Sequence, residues 1–502
     1  MTTASTPINS GRLITVLAFA GILGALTQTL VVPLIAELPV IFHTSSSNAS
    51  WIITVTLLAG AVATPIIGRL GDMYGKKKIL LIALVPMLIG SVVCALAGGV
   101  VPMIIGRGLQ GVAAGSVPLG ISLLHDVLPH EKVHGAVALM SASMGIGGAL
   151  GLPLAAGVAQ YASWRVLFWV VAALTALTIL FSWLIVPRDT VRPAASRSFD
   201  YAGAVVLAIG VVALLLGVSK GAEWGWTSTL TLSLLIGSVV VFLVWGWWEL
   251  RTPHRLVDLR ATVRRPVLLT NIASVLVGFA MYAQSLVIPQ LMQLSVETGY
   301  GHGQTMLQMG LWMAPMGIGM MAVSPLGGRV TRRYGAKTTL VIGSIIIALG
   351  YGASTLVTGS LVGLMITSTL ASAGVGFAYG AMPALIMATT PASDKAAANG
   401  FNSLMRSFGT TASAAVIGVV LAQLSTTLGD YTVPTLAGIR ISLLIGCAVA
   451  VAAAVLAAFT SSRKSVAASA EAVLAEAEAA ALTVDGEYLP GEDAAVRASR
   501  RQ

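Results

Sequence analysis

Residues 65–82 read PIIGRLGDMYGKKKILLI, and residues 325–342 read PLGGRVTRRYGAKTTLVI. At a constant offset of 260 the two stretches share Pro, Gly, Arg, Tyr, Gly, Lys, Leu and Ile, which marks an internal repeat. Each stretch joins the end of one long apolar run to the start of the next. A basic turn between two apolar runs, met twice, is the pattern of a duplicated membrane protein, because duplicated halves recur in secondary transporters with the substrate site between them.

The apolar runs extend outward from these turns. An apolar run of about 20 residues is long enough to cross the hydrocarbon core as a helix. Fourteen such runs are marked near residues 13–36, 51–68, 79–99, 101–124, 135–160, 166–187, 201–219, 227–248, 267–290, 305–326, 338–357, 361–388, 398–423 and 441–460. Thr338 to Ser393 contains no charged residue and is too long for one span, so Tyr351–Ser360 (YGASTLVTGS) is expected to break it. The first run is read as a retained span rather than a cleaved leader, since it is long and thirteen more follow. Eight spans separate the second from the tenth. If the duplicated half had six, two helices were inserted between the halves. The expected organisation is a six-helix bundle over residues 1–190, two inserted helices with linkers over 191–262, a second six-helix bundle over 263–462, and a cytoplasmic tail over 463–502. The expected fold class is all-α and integral to the membrane.

Composition agrees with that class. Of 502 residues, 56% are hydrophobic and only 10% charged, against about 25% charged in a soluble domain. A soluble enzyme, a secreted disulfide scaffold and a disordered chain are excluded. Cys94 and Cys447 are too far apart in sequence, and too few, for a disulfide framework or a metal site. The net charge of +10 needs no nucleic acid, because all but five of the Lys and Arg fall in loops and tails on one side of the membrane. Lys and Arg mark the cytoplasmic side, so both termini are expected inside. Arg165, Lys220 and Arg440 face outside, and Arg107 and Arg406 lie within spans.

Four places carry chemistry. In Gly68-Arg69-Leu70-Gly71-Asp72-Met73-Tyr74-Gly75-Lys76-Lys77-Lys78 the glycines allow a tight turn and close helix approach, while Asp72 suits an arginine partner or a helix N-terminus. A solvated basic turn would explain the lysines but not the Gly/Asp/Gly spacing. In Arg107-Gly108-Leu109-Gln110-Gly111, an arginine seven residues into a span costs about 2.5 to 3.5 kcal/mol on insertion scales and should face a cavity or partner. The alternative is snorkelling to the interface. The fifth run carries Gly145-Ile146-Gly147-Gly148-Ala149-Leu150-Gly151-Leu152-Pro153 and Gly157, small residues for helix packing with a proline kink. The first run reads Leu26-Thr27-Gln28-Thr29-Leu30-Val31.

These features resemble the major facilitator superfamily, and the fourteen-span count resembles its drug:proton antiporter family of multidrug exporters. The resemblance covers nearly the whole chain before the tail. It implies that Gly68, Arg69, Gly71, Asp72, Gly75 and Lys77 form a conformational-switch loop, that Arg107 takes part in proton coupling, and that Gly147, Gly151, Pro153 and Gly157 form an antiporter-type helix. The chain departs from the family in two places: Leu152 separates Gly151 from Pro153, and the first span lacks the usual aspartate. None of the 19 Asp and Glu lies at mid-membrane, so by elimination the titratable coupling candidates are Asp126, Asp72, Glu37 and His125. Each also suits an interfacial cap.

Met306, Met309, Met313, Met316 and Met320 share one helical face of the tenth span, with Trp312 beside them. Polarizable thioethers suit varied apolar ligands, although such a stripe equally suits lipid or helix packing. Gln28, Asn271, Tyr282, Gln284 and Gln290 are further candidates for a substrate cavity. Arg406 resembles a family arginine and also suits a lipid phosphate. The expected function is secondary active export of small amphipathic drugs or natural products in exchange for protons, by a monomer in contact with lipid in a bacterial plasma membrane. No cofactor or metal is expected. Movement of a lipid or metabolite without tight proton coupling is the alternative. No GxxxxGK[ST] occurs, so direct ATP use is not indicated.

Overall fold

The computed structural model describes residues 10–460 apart from 32–33, 35–37, 45, 188–198, 254, 389, 392–393 and 429–430. Among them, fourteen helices are long and apolar enough to cross a membrane. They are α1 (Ser10–Thr29), α2 (Ser46–Tyr74), α3 (Lys76–Leu96), α4 (Val100–Val127), α5 (His130–Tyr161), α6 (Arg165–Ile185), α7 (Tyr201–Trp224), α8 (Thr229–Arg251), α9 (Arg265–Gln293), α10 (Met306–Tyr334), α11 (Ala336–Leu356), α12 (Leu361–Met387), α13 (Lys395–Gln423) and α14 (Leu436–Ala458). In hydrocarbon every backbone polar group must be satisfied internally, which makes the helix the default for such runs. Side-chain caps set several starts. Ser360 Oγ accepts from the Gly363 amide, Thr435 from Gly438, and Thr305 forms a reciprocal capping box with Gln308.

The helices gather around three apolar cores. The first is built mainly of residues from Leu13 to Val186, on α1–α6, with Met387 and Ala396 of the second bundle joining it; the second is built mainly of residues from Ala273 to Ala457, on α9–α14. These are two six-helix bundles. The inserted hairpin α7–α8 forms the third core with Leu58 and Ala61 of α2 and Phe401 and Leu404 of α13. The bundles meet along two seams, α5 against α10 and α12, and α2 against α13. The hairpin covers only the second of them. Its outer helix α8 shows Ile236, Val239, Val240, Leu243 and Trp247 on the surface, an apolar face suited to lipid.

Three local features differ from the sequence reading. Helices α11 and α12 need only Val357–Ser360 between them, because Tyr351–Leu356 stays helical. The fourth span is interrupted by a 3₁₀ turn at Ala113–Gly115. Pro118 cannot bond back to the Ala114 carbonyl, and Gly115 lies so close to Ile67 that a Cβ would stand 2.7 Å from its Cδ1. A short antiparallel hairpin, β1 (Ser425–Leu428) and β2 (Tyr431–Pro434), links α13 to α14. The β-branched Thr426, Thr427, Thr432 and Val433 favour it.

Candidate functional site

The stretch 68–78 is not a loop. Helix α2 continues through Tyr74 and α3 begins at Lys76, so Gly75 alone makes the turn, with φ at 99°. That left-handed conformation suits glycine because a Cβ would crowd the backbone. At the repeat position Gly335 turns between α10 and α11 in the same way, with φ at 91°. The sequence repeat therefore encodes a one-residue helical corner used twice, and both corners lie at the same end of the molecule.

At this end the first bundle grips the start of α13. Both carboxylate oxygens of Asp72 accept backbone amides of its first turn, Ala396 at 3.2 Å and Ala397 at 2.9 Å. The first amides of a helix have no intrahelical partner and carry the positive end of its dipole, so a carboxylate there satisfies both needs. Arg69 ion-pairs with Asp394 at 2.8 Å, and the Asn399 amide donates to the Pro118 carbonyl at 2.9 Å. Gly68 allows the contact, because a Cβ there would overlap the Ala396 carbonyl. Gly71 likewise makes room for Leu119. Lys76 links Asp72, 3.7 Å away, to Asp126, with which it forms a close ion pair; Lys395 reaches Asp126 from across the seam at 3.9 Å and His125 Nδ1 at 3.1 Å. Lys77 instead donates to the Trp183 and Val186 carbonyls at the end of α6.

The second copy performs the same joining with opposite chemistry. Arg332, equivalent to Asp72, donates to the Glu131 carbonyl at 2.7 Å near the start of α5, and Gly328 faces Gly135. One corner accepts from a helix start and the other donates to one.

Arg107 is 1% exposed. Its guanidinium donates to the Thr27 carbonyl at 2.6 Å, to Gln110 Oε1 at 2.7 Å and to the Ile52 carbonyl at 3.3 Å. It thus ties α1, α2 and α4 together. Gln110 passes the network to Ser91 at 2.9 Å. Among the described residues no carboxylate pairs with it, and its Nη2 has no hydrogen-bond partner. This is a buried side chain, not one snorkelling to the interface. Asp126, at the other end of α4, belongs to the Lys76–Lys395 cluster and is separate from Arg107. Glu37 lies outside the described residues.

The glycines of α5 divide into two groups. A Cβ on Gly147 would overlap the Ile22 carbonyl, and one on Gly151 would overlap Thr29 Oγ1, so these two let α5 lie against α1. Pro153 faces Gly310 of α10, where a Cβ would stand 3.0 Å from the proline nitrogen. Gly157 has open space around it and takes no part in the contact.

The cavity candidates separate as well. Met309, Met313 and Met320 are buried in the second core, with Met306, Met316 and Trp312 at its edge. Met320 fills the space beside Gly145 of α5 and Gly376 of α12. The stripe therefore faces protein across the seam. Gln284 donates to the Ser368 carbonyl at 2.8 Å and Trp312 to Gln304 at 3.1 Å. Tyr282 is half-buried, and Gln28 and Gln290 are exposed. Asn271 accepts from Asn402 at 2.8 Å, and Asn402 also donates to Ser274 at 2.7 Å. Arg406 stands over Tyr379, 4.8 Å from the ring centroid, and donates to Asn402 and Ser403 of its own helix. It lies eleven residues into α13, about 17 Å from that end. At 7% exposure it is surrounded by protein.

Sequence reasoning missed Asp394 and the amides of Ala396 and Ala397. A signal was available: Asp394 and Lys395 are the first charges after the long uncharged stretch that ends at Ser393. Nothing in the sequence tells that Asp72 reaches across 324 positions to a helix start.

Comparison with known proteins finds sequence relatives named as transporters. A family model described as Major Facilitator Superfamily matches residues 17–307 and 270–484. An uncharacterized MFS-type transporter of Mycobacterium tuberculosis is 27% identical over 352 residues, 69% of this chain; the chain spans about half the length of that relative (49%). The tetracenomycin C resistance and export protein of Streptomyces glaucescens is 27% identical over 76% of this chain and 70% of its own length. The crystal structure of the human organic anion transporter MFSD10 superposes with a TM-score of 0.62 over 90% of this chain and 100% of that one, at 16% identity. That likeness concerns the fold.

Proposed function

This chain belongs to the Major Facilitator Superfamily, and from that premise we propose that it exports small amphipathic drugs or natural products in exchange for protons. It is a multi-pass transporter, not an enzyme. In our reading, residues 1–190 and 263–462 are the two bodies that rock against each other, and residues 191–262 carry the inserted hairpin. The molecule works as a monomer in the plasma membrane with both ends of the chain in the cytoplasm. The observation that carries the reading is the Gly75-end seam. Two backbone bonds to Asp72, the Arg69–Asp394 pair and the Lys76–Asp126–Lys395 cluster hold the bundles through polar contacts that water can replace on opening. An apolar seam would not release so readily. The direction of transport leans on the export and resistance relatives.

Substrate charge follows from what the bundles bury. Arg107 and Arg406 place positive charge inside, and among the described residues neither has a carboxylate partner. A lipophilic dication would be repelled in that low-dielectric interior, so neutral or weakly charged amphiphiles are the preferred cargo. Uptake of such compounds into inverted membrane vesicles, with and without an imposed pH gradient, tests the reading. Gradient-driven accumulation is expected. The first span holds Gln28 where the antiporters have an acid, which favours a second reading: lipid or metabolite movement without tight coupling. Flux that ignores the gradient would support it.

A further inference from the structure

Glu249 is the one acid of the inserted hairpin that is completely buried, at 0% exposure near the Gly75 end of α8. Its Oε1 accepts the Val257 amide at 2.6 Å, while its Oε2 has no hydrogen-bond partner among the described residues. Beside it stands a second acid. Asp200, the cap of α7, is 9% exposed and accepts from the Gly203 amide at 2.8 Å and from the Trp248 indole at 3.0 Å. The two carboxyl groups converge on Gly203, where a Cβ would overlap Asp200 Oδ2 and stand 3.2 Å from Glu249 Oε2. Arg69 lies within electrostatic reach of Glu249 and is the residue that pairs with Asp394 across the seam. Arg69, Asp394, Leu256 and Val257 also line a cavity of 270 Å³ together with Arg255 and Asp258, which pair with each other at 3.4 Å. Among the described residues, the charged groups that act electrostatically on Glu249 are Asp200 from α7 and Arg69 from α2. Asp394, Arg255 and Asp258 stand around the adjoining cavity.

Two acids so placed cannot both stay ionised at low cost, and an ionised carboxyl oxygen without a donor is expensive to bury. We propose that Glu249, with Asp200 and Arg69, is a proton-binding site whose occupancy is linked to closure of the Gly75-end seam. One and two turns before Glu249 on α8 the second bundle touches the hairpin: Phe401 of α13 stacks on Trp245 with centroids 6.4 Å apart, and Phe408 meets Phe242 at 5.9 Å. When α13 withdraws, water enters, the O–H bond of the Glu249 carboxyl breaks, and the proton leaves to that water. The carboxylate then competes with Asp394 for Arg69. By linkage, whatever is bound more tightly in the closed form favours that form, so acid closes this end and alkali opens it. The inserted hairpin thereby supplies the titratable group that the first span lacks. This inference rests on the reading of the seam as a gate.

The test uses the full chain with the C94A and C447A replacements and spin labels at Y74C and Y334C, two exposed positions at the corners. Interlabel distance is followed by double electron–electron resonance from acid to alkaline pH, without substrate or gradient. The parent protein is expected to gain a long-distance population as pH rises. Glu249→Gln, permanently neutral, should keep the short distance at alkaline pH. Asp200→Asn removes the neighbouring negative charge, makes ionised Glu249 less costly in the closed form, and should therefore move the opening midpoint to higher pH or shrink the open population; it serves as the test if Glu249→Gln does not fold. A parent protein that does not open with pH, a Glu249→Gln protein that opens as the parent does, or an unmoved Asp200→Asn midpoint overturns the site. Failure of antiport reads differently: the seam would titrate through Glu249 while vesicle flux ignored the pH gradient.

Discussion

At the scale of single residues, Asp72 has the clearest role. Its carboxylate satisfies two helix-start amides of the opposite bundle, and charge-assisted bonds of that kind contribute about 1.5 to 3 kcal/mol. Asp72→Asn keeps the shape but removes the charge and one accepting oxygen. We expect transport to fall at least tenfold, a change of about 1.4 kcal/mol or more, with ligand affinity near that of the parent in equilibrium binding; weakened affinity with an intact cycle would contradict the assignment. Arg107 calls for a different measurement because it is also structural. Arg107→Ala leaves the Thr27 and Ile52 carbonyls without this donor, at about 1 to 3 kcal/mol for each buried group, so thermal stability in detergent should drop. If Arg107→Ala and Asp126→Asn both express well and keep full pH-driven transport, neither is a coupling group.

At the scale of helices, the glycines of α5 separate packing from mere flexibility. Gly147 lies against the α1 backbone with no room for a methyl group, so Gly147→Ala must push the helices apart and should cost about 1 to 3 kcal/mol. Gly157 has open space around it, and Gly157→Ala should be neutral or stabilise the helix by up to about 1 kcal/mol. Melting followed by tryptophan fluorescence compares the two. Equal losses would remove the distinction drawn between them. The corner at Gly75 belongs to this scale too, since its φ of 99° penalises Gly75→Ala by about 1 kcal/mol. Much of this level was legible: the spans, their order and the repeated turn all follow from apolar length and a local motif, while its reduction to a single glycine was seen only in the structure. The 3₁₀ turn in α4 was less so, because Pro118 marks a weak point but the approach of Ile67 to Gly115 decides where the backbone yields.

At the scale of the whole molecule, the two seams are unequal. The α5/α10 seam is lined by methionines and glycines, whereas the α2/α13 seam carries Asp72, Arg69 and the inserted hairpin. If the second seam is the regulated one, disrupting the apolar bridge between hairpin and α13 should loosen closure without touching the polar latch. Trp245→Ala is expected to raise the open population of the Y74C/Y334C pair at a given pH while leaving membrane insertion unchanged. No change in that population would confine the hairpin to a passive lipid-facing role. Substrate charge is also a property of the whole molecule. With Arg107 and Arg406 buried, export assays across a charge series should rank neutral amphiphiles above dications, and tight export of dications would refute the ranking.

The sequence by itself determined that the chain crosses the membrane as fourteen helices, that two parts of it are copies, and that a glycine-bearing basic turn recurs at the same place in each copy. Those properties depend on apolar length, on backbone hydrogen bonding in hydrocarbon and on local conformational preference, all of which act between near neighbours. Only the tertiary structure decided that Asp72 caps a helix beginning at residue 395, that Arg69 finds Asp394, that the methionine stripe meets α5 rather than lipid, and that Glu249 faces Asp200 in a buried pocket. These pairings join residues that are close only after the bundles and the hairpin have packed, and the energy of a buried charge depends on which groups packing brings beside it.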